Sequence, residues 1–366
     1  MLCGERNERY MKKLKLAILG QGRSGRDIHG KYLLTATDKF EVAYVVDPLE
    51  NRREIAKREY PGCQVLADYR ELFDKEPVDF VVNATPSHLH YAVTRDLLEH
   101  GFNVLCEKPF AKTAAEVDSL IETAEKNGKM LAVFQQSRFA PYFEKVKEVI
   151  ASGVLGELVQ VNIEFNGYQR RWDWQCCQCF NGGNLYNTGP HPVDQALNIL
   201  NDYDTMPEIY CKMGRVNTFG DAEDYLKLIL TAPNKPLIDV EIISCDAYPS
   251  FTYNIKGSRG GLKGNMTEIS WKYFLEEEAP AQHLIKEPLQ SPEGLPLYCS
   301  EALTWHEGGW KVEDAGTFTY AVGKLYQTLY DHLTEGKALV VTPRQVRQQI
   351  AVMEEAHRQN PMSVFA

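Results

Sequence analysis

The sequence predicts an α/β protein in which a doubly wound parallel sheet is followed by a second domain with an open antiparallel sheet. Three observations indicate this. Strand-like apolar runs alternate with helical segments over residues 16–134, a glycine-rich turn joins the first strand to the first helix, and β-rich runs of alternating polarity follow. These patterns are typical of parallel sheets covered by helices and of antiparallel sheets with one solvated face. The predicted domains span residues 1–136 and 137–366.

The elements of the first domain follow from short apolar runs bounded by turn residues and from helical periodicity. Gly128 sits where the longest of these helices should end. Strands are predicted at residues 16–19, 42–46, near 65, 80–83, 103–106 and 130–134, and helices after residue 25 and at 51–58, 69–73, 90–100 and 114–127. Residues 1–13 are predicted to be a frayed lead-in.

The second domain is predicted to be richer in strands. Glycines concentrate in residues 256–264, which are predicted to form a flexible turn, and the charged residues 276–296 are predicted to form a loop. Strands are predicted at residues 158–165, 208–215, 225–231, 238–245 and 252–255, and helices at 141–151, 192–200, 317–334 and 343–357.

Composition excludes several classes of protein. The 366 residues suffice for two cores, and 25% charged with 44% hydrophobic residues is typical of a soluble globular chain. A formal net charge of -10 argues against nucleic acid or an anionic membrane as the main partner. The N-terminus is too polar for a signal peptide and no stretch approaches the roughly 20 apolar residues of a membrane helix, so a cytoplasmic location is expected.

The nine cysteines are expected to be reduced thiols in such a location. Only Cys176, Cys177 and Cys179 cluster. Adjacent cysteines suit tetrahedral ligation poorly and no second C-x-x-C pair accompanies them, so no metal site is predicted.

The glycine-rich turn has the G-x-G-x-x-G spacing of a dinucleotide-binding turn. Gly20 permits the tight turn, Gly22 allows close approach of a pyrophosphate, and Gly25 lets the helix pack on the strand. Asp47 ends the second strand about twenty residues later, where a carboxylate meets the adenosine ribose hydroxyls. The alternative is that Asp47 and Pro48 form an ordinary turn.

A loop with the sequence NATPSHLH follows the fourth strand, starting at Asn83. Loops at the carboxyl ends of parallel strands border ligands, so this one is predicted to border the cofactor. The spacing of His88 and His90 does not suit a metal pair, and structural or helix-start roles are favoured for both.

The next strand leads into Glu107-Lys108-Pro109. Proline restricts the residue before it, so Lys108 becomes a fixed cation suited to polarising a substrate oxygen. A surface lysine in a turn is the alternative.

The stretch GGNLYNTGPHPVD, residues 182–194, brings His191 to the start of a helix. A neutral histidine there can accept a proton from a hydroxyl, and Asp194 either orients its ring or favours the helix N-terminus. A capping role for His191 is the alternative.

These four motifs, at these separations, make the chain similar to the glucose-fructose oxidoreductase, inositol dehydrogenase and rhizopine-catabolism (Gfo/Idh/MocA) family. The resemblance covers nearly the whole chain. It implies an N-terminal Rossmann doubly wound parallel sheet plus a C-terminal α+β domain with a large, mainly antiparallel open sheet. It also implies NAD(P)-dependent chemistry on sugars and polyols, and a homodimer or homotetramer formed through that second sheet.

Carried over by position, Lys108 matches the family's lysine and His191 its acid/base histidine. Asn187 stands where many members have an aspartate, and an amide binds a hydroxyl but cannot relay a proton. Either Lys108 and His191 suffice in this subgroup, which is favoured, or the dehydrogenase chemistry is altered or lost.

The predicted site therefore has three groups of residues. The catalytic residues are Lys108, His191 and Asn187. The cofactor contacts are Gly20, Gly22, Arg23, Ser24, Gly25, Asp47, Ala84, Thr85, Pro86, His90, Glu107 and Lys108. The substrate contacts are Lys108, Tyr168, Arg171, Trp172, Asn187 and His191. The alternative is that the aromatic side chains within residues 168–174 pack at a domain boundary or a subunit interface.

The predicted function is hydride transfer between a nicotinamide and a hydroxyl or ketone carbon of a sugar, cyclitol or related polyol. Asp47 favours NAD because a carboxylate repels a 2′-phosphate, while Arg52 and Arg53 leave NADP as an alternative. A cofactor-binding sensor without turnover is a second hypothesis, motivated by Asn187. A non-redox use of the cofactor, such as glycoside cleavage through a transient ketone, is a third.

Overall fold

The computed structural model describes residues 12–313 and 316–362. Most of the lead-in predicted at residues 1–13 lies outside these residues. The described chain builds two sheets, one parallel and one mainly antiparallel, as the sequence predicts.

The first sheet has the order β3-β2-β1-β4-β5-β6, and all its pairs are parallel. Because the order reverses between β1 and β4, the crevice above these two strands is the switch point at which such sheets bind ligands. Its strands are β1 Leu14–Leu19, β2 Phe40–Val46, β3 Gln64–Leu66, β4 Phe80–Asn83, β5 Val104–Cys106 and β6 Leu131–Val133.

Helices cover both faces of this sheet and continue into the second half of the chain. They are α1 Arg23–Gly30 with its continuation Lys31–Leu33, α2 Glu50–Glu59, α3 His90–Glu99, α4 Ala114–Asn127, α5 Pro141–Ala151, α6 Asn184–Asn187, α7 Pro190–Leu200, α8 Thr317–Glu335 and α9 Pro343–Arg358. Short helical turns occur at Tyr69–Asp74, Ser87–Leu89, Gln136–Phe139, Trp174–Cys176, Gln178–Phe180 and Glu276–Glu278. Capping explains several boundaries: Thr113 and Glu116 form a capping box at the start of α4, and Gly128 ends it with φ +61.

The second sheet has the order β14-β13-β12-β11-β7-β10-β9-β8. Only its β7–β10 pair is parallel among the described strands. Its strands are β7 Leu158–Glu164, β8 Glu208–Gly214, β9 Tyr225–Thr231, β10 Leu237–Ile243, β11 Tyr253–Gly257, β12 Gly260–Gly264, β13 Glu268–Tyr273 and β14 His306–Lys311.

The interpretation of residues 256–264 as a flexible turn was wrong, because most of them belong to a hairpin of β11 and β12. A Cβ atom at Gly260 would lie 2.3 Å from the carbonyl oxygen of Lys272, and one at Gly264 would lie 2.3 Å from that of Glu268. The glycines therefore allow β13 to approach closely, and a sequence reading cannot separate this use of glycine from a turn. No strand was predicted at β13 or β14, although the alternating polar and apolar residues of Glu268–Tyr273 are typical of one.

The C-terminal helices pack back on the parallel sheet. The buried ring of Tyr326 in α8 contacts Phe40 of β2, with centroids 5.4 Å apart, and stacks on Tyr32 at 4.9 Å. These contacts fix the second half of the chain against the edge of the switch-point crevice.

Candidate active site

In the glycine turn, neighbouring atoms leave no room for a side chain at Gly20 or Gly25, whereas space remains at Gly22. Gly20 has φ +90, and a Cβ there would lie 2.4 Å from the carbonyl oxygen of Ala84, so only glycine fits. A Cβ at Gly25 would meet the oxygen of Gly20, which brings α1 against the turn. At Gly22 the nearest atom is Arg52 Nη1 at 4.0 Å. The turn thus leaves space where a pyrophosphate would approach the backbone, and the residues present fit that group. Arg23 is exposed and Ser24 half-buried at the start of α1.

Asp47 is buried at the end of β2 and fixes the backbone of the loops that follow β1 and β2. Its carboxylate accepts hydrogen bonds from the N–H groups of Gln21 at 2.8 Å and Leu49 at 2.9 Å. Arg52 Nη1 lies 3.3 Å from the same carboxylate, with its side chain 42% exposed. The predicted acidic group is therefore beside the glycine turn, together with a cation that reaches toward Gly22.

Hydrogen bonds from buried side chains fix the loop that follows β4. Asn83 donates to Thr94 Oγ1 at 3.0 Å and accepts from the Thr85 hydroxyl at 2.7 Å. The buried ring of His90 contacts the carbonyl oxygens of Thr85 at 2.8 Å and Pro109 at 2.7 Å. This arrangement favours the structural role of His90, whereas Pro86 is exposed at the rim.

Glu107 is buried in a polar chain that sequence reasoning missed. Its carboxylate lies 3.2 Å from His29 Nε2, and His29 Nδ1 lies 2.8 Å from the Tyr326 hydroxyl. Burial raises the pKa of Glu107, but the His29 hydrogen bond and the Lys108 charge outweigh it and lower the pKa to about 2. No local motif identifies His29 or Tyr326, because they are 297 residues apart in sequence.

Lys108 extends from β5 to the second half of the chain. Its Nζ donates to the main-chain carbonyl of Asn187 at 2.7 Å, and its peptide bond to Pro109 is cis. Burial lowers the pKa of Lys108, Glu107 opposes this effect, and the nearby cations Arg23 and Arg171 lower the pKa further. The predicted catalytic residues Lys108 and Asn187 are thus in direct contact.

His191 lies in the first turn of α7, four residues after Asn187. The side-chain amides of Gln135 and Gln349 both donate to the carbonyl of Pro190, which anchors this turn. Burial and the Lys108 charge lower the pKa of His191 to about 3, and Glu107 opposes them. The lowered pKa keeps the imidazole neutral at ordinary pH, and the described residues leave its buried Nδ1 without a hydrogen bond.

Asp194 does not orient His191, which corrects one of the two sequence interpretations. Arg138 contacts both carboxylate oxygens of Asp194, through Nε at 3.0 Å and through Nη2, and both side chains are buried. This pairing commits Arg138 to holding α7 in place.

A polar pocket adjoins Asn187. It is lined by Gln169, Arg171, Gln175, Cys176, Gly183, Asn184, Asn187, Thr218, Glu223, Asp224 and Ser244. Burial raises the pKa of Glu223 to about 7, and its Oε1 accepts the N–H of Leu185 at 2.8 Å. Glu223 was not found from the sequence, which offers no local signal for it.

Of the predicted substrate residues between 168 and 174, Arg171 and Trp172 line cavities and Tyr168 does not. Arg171 lines the polar pocket and also an outer groove that contains Trp172. Tyr168 pairs with Cys245 through an isolated β-bridge, its side chain is 62% exposed, and it lines neither cavity.

Two further findings concern metal-binding clusters and membrane-spanning helices. Within residues 12–313 and 316–362, no group of three or more His, Cys, Asp or Glu side chains is arranged to hold a metal ion. No helix in the same residues is both long and apolar enough to cross a membrane.

Comparison with known proteins identifies the families to which both parts of the chain are similar. Residues 14–135 match an oxidoreductase family with an NAD-binding Rossmann fold, and residues 143–263 match the GFO/IDH/MocA C-terminal domain. A scyllo-inositol 2-dehydrogenase (NADP(+)) of Bacillus subtilis is 25% identical over 96% of this chain and 95% of its own length. An uncharacterized oxidoreductase of Schizosaccharomyces pombe is 31% identical over 69% of this chain and 71% of its own.

Among solved structures, an NAD-binding protein from Listeria innocua superposes with a TM-score of 0.77 at 22% identity, covering 95% of this chain and 97% of the other. The fold and the glycine turn define an oxidoreductase that binds a nicotinamide dinucleotide, NAD or NADP. The family matches are more specific: the chain belongs to the Gfo/Idh/MocA family of oxidoreductases.

Proposed function

We propose that the protein oxidises or reduces a CH–OH or ketone carbon of a sugar, cyclitol or related polyol with NAD(P). The observation that supports this proposal is the hydrogen bond from Lys108 to the main chain of Asn187, four residues before His191, whose pKa the Lys108 charge lowers. The half-buried ammonium group of Lys108 contacts the Asn187 carbonyl at 2.7 Å, and the neutral imidazole of His191 follows at the start of α7. A cation and a proton acceptor are the two groups that alcohol oxidation requires.

The proposed roles follow from these chemical states. His191 takes the hydroxyl proton of the substrate, Lys108 stabilises the charge that develops on the same oxygen, and the Asn187 amide orients a neighbouring hydroxyl. A bound NAD(P) would supply the acceptor for the hydride of that carbon, and the alcohol would become a ketone while His191 holds the hydroxyl proton. The reverse transfers reduce the ketone.

We propose that the cofactor lies along the crevice between β1 and β4. The residues that would hold it are Gly20, Gly22, Arg23, Ser24, Gly25, Asp47, Ala84, Thr85, Pro86, Glu107 and Lys108, with His90 supporting the loops beneath. NAD is preferred because the Asp47 carboxylate repels a 2′-phosphate, and Arg52 is the group that would admit NADP.

We also propose that copies associate through the face of the second sheet that the helices leave open. Tyr210 on this face is 59% exposed, and Lys227 pairs with Asp239 at 2.8 Å across neighbouring strands. Sedimentation of the purified protein should give the mass of a dimer or tetramer, and a monomer at micromolar concentration would contradict this.

The experiment that tests the function is a panel of sugars, inositols and their keto forms, monitored by nicotinamide absorbance with each cofactor. Turnover of at least one polyol, with one ketone formed per reduced cofactor, is the expected result. Tight cofactor binding with no turnover across the panel would instead favour the sensor hypothesis, for which Asn187 is the motivating observation.

A further inference from the structure

A long acidic and apolar segment connects β13 to β14 at one edge of the second sheet. We call this segment, residues 276–305, the arm. It carries six glutamates and one lysine. Its large apolar side chains face solvent instead of a core: Leu284 is 84% exposed, Leu295 64%, Leu297 52% and Tyr298 96%. Apolar side chains grouped in this way on a surface mark an interaction site.

The tip of the arm is a folded hairpin. The N–H of Ser291 donates to the carbonyl of Leu295 at 2.8 Å, and the N–H of Leu297 donates to the carbonyl of Leu289 at 2.9 Å. Gly294, within this turn, has φ +81, which glycine adopts without strain. Because these bonds hold the backbone, the tip presents Leu295 and Leu297 in a fixed arrangement and loses little affinity to ordering when it docks.

The base of the arm lies on the open face of the second sheet. Ile269 and Trp271 of β13 pack against the core, so Lys272 points to the opposite face. The ammonium group of Lys272 lies 4.8 Å from the ring centre of Trp305, the last residue of the arm. The neighbouring part of this face is polar and presents Gln160, Asn162, Glu164, Asp239, Glu241 and Lys256. A stable interface on such a face needs apolar anchors from outside it, and the arm offers them.

The outer groove described above carries exposed aromatic rings and positive charge. It encloses about 560 Å³ and is lined by Arg170, Arg171, Trp172, Asn217 and Phe219. The side chain of Trp172 is 81% exposed and that of Phe219 is 85% exposed. Arg171 is paired with Asp173 at 3.5 Å, so Arg170 supplies the excess positive charge of the groove. The groove is therefore complementary to the arm in charge and matches it in apolar character.

The strand directions place the arm and the groove at opposite corners of the second sheet. The groove follows the carboxyl ends of β7 and β8, which run in one direction, whereas the arm follows the carboxyl end of β13, which runs in the other. β13 and β14 lie at one edge of the sheet and β8 forms the other. When two such sheets pack face to face with their strands near right angles, a two-fold axis in the interface brings the arm corner of each copy over the groove corner of the other.

We propose that two copies of this chain form a symmetric dimer in which the arm of each copy docks in the outer groove of the other. This inference rests on the association through the second sheet proposed above, and it names the segments that carry that association. The apolar side chains of the arm tip pack on Trp172 and Phe219, and Glu293 at the tip pairs with Arg170. Because Arg171 also lines the polar pocket, the arm of one copy lies next to the candidate site of the other.

Sedimentation of the full-length protein tests this docking with two variants. The arm variant combines Leu297→Asp with Tyr298→Asp, and the groove variant combines Trp172→Asp with Phe219→Asp. Each should raise the dissociation constant of the dimer by about tenfold or more, because both arm–groove contacts of the dimer are lost. Leu34→Asp alters an exposed leucine of the first domain and should leave that constant at the wild-type value. Circular dichroism of all variants checks that the fold is retained.

Mixing the two variants tests whether the arm and the groove meet each other. A mixed dimer regains one intact contact, between the arm of the groove variant and the groove of the arm variant. An equimolar mixture should therefore contain more dimer than either variant alone. No gain on mixing, or a groove variant that dimerises like the wild type, would overturn the pairing of arm and groove and leave association through the sheet in place. A monomeric wild type at micromolar concentration would overturn both, and none of these results depends on turnover of a substrate.

Discussion

The Nζ atom of Lys108 lies 2.7 Å from the main-chain carbonyl oxygen of Asn187. This contact joins a loop of the parallel sheet to the helix that leads into α7. Since the acceptor is a main-chain atom, the position of Lys108 does not depend on which side chain residue 187 carries. The replacement of the family's usual aspartate by asparagine is therefore compatible with an intact lysine position.

Asn187→Asp should consequently keep the fold and retain turnover. Asn187→Ala should raise KM by about tenfold with a smaller change in kcat, because it removes a hydrogen bond to substrate and leaves the proton acceptor in place. Steady-state kinetics on the best polyol would measure both. If Asn187→Ala lowered kcat by orders of magnitude at constant KM, the amide would act in the chemical step.

Lys108→Met and His191→Asn should each lower kcat/KM by roughly 10²–10⁴-fold, the usual contribution of a general acid or base. The dissociation constant of NAD should change far less, because most predicted cofactor contacts are elsewhere. Lys311→Met is the matched control, since that lysine lies on β14 with its side chain 76% exposed. Near-normal activity in either variant would remove that residue from the mechanism.

The pH dependence of alcohol oxidation should lack an acid limb near 6.5. The pKa of His191 is lowered to about 3, so its imidazole stays neutral and able to accept a proton well below that pH. The lowered pKa of Lys108 places loss of its positive charge below its ordinary 10.5, so kcat/KM should fall on the alkaline side. A profile of kcat/KM from pH 5 to 10 tests both expectations, and a half-maximal point near 6.5 that disappears in His191→Asn would refute the first.

Cofactor choice should depend on Arg52, whose guanidinium lies between the Asp47 carboxylate and Gly22. The wild-type protein should bind NAD more tightly than NADP. Arg52→Ala should weaken NADP further, by about tenfold, with a smaller effect on NAD, because a charge-assisted contact to the 2′-phosphate is lost. Titrations of both cofactors provide the measurement, with the exposed Arg58→Ala on the same helix as control. Tighter binding of NADP to the wild type would overturn the preference.

The free energy of unfolding should depend on pH through the buried carboxyl group of Glu223. Its pKa rises to about 7 in the folded protein from an ordinary 4.5, so its neutral form is favoured. Protonated Glu223 contributes its full share to the free energy of unfolding below pH about 4.5. This contribution, at most about 3 kcal/mol, is lost as the pH rises through 7. Glu223→Gln should gain stability relative to wild type between pH 5 and pH 8 in denaturant unfolding. Glu307→Gln, at an exposed position, should follow the wild type, and parallel curves for all three proteins would contradict the assignment.

Local sequence patterns predicted those features that depend only on residues close together in the sequence. The glycines at 20, 22 and 25, the apolar run of β4 and the boundaries of α4 could be read directly, because turns, buried strands and caps each require particular residue types. The hairpin at residues 256–264 could not, since glycine serves both turns and closely packed strands.

The sequence by itself determined the alternating fold, the cofactor turn and the identity of the candidate residues Lys108 and His191. Only the tertiary structure decided their partners. Arg138 holds Asp194, Glu107 is bonded to His29, and Lys108 reaches the backbone of Asn187. These pairs are separated by 56, 78 and 79 residues, respectively. Such contacts depend on how the two sheets and their helices pack together, and no local preference of the chain encodes that packing.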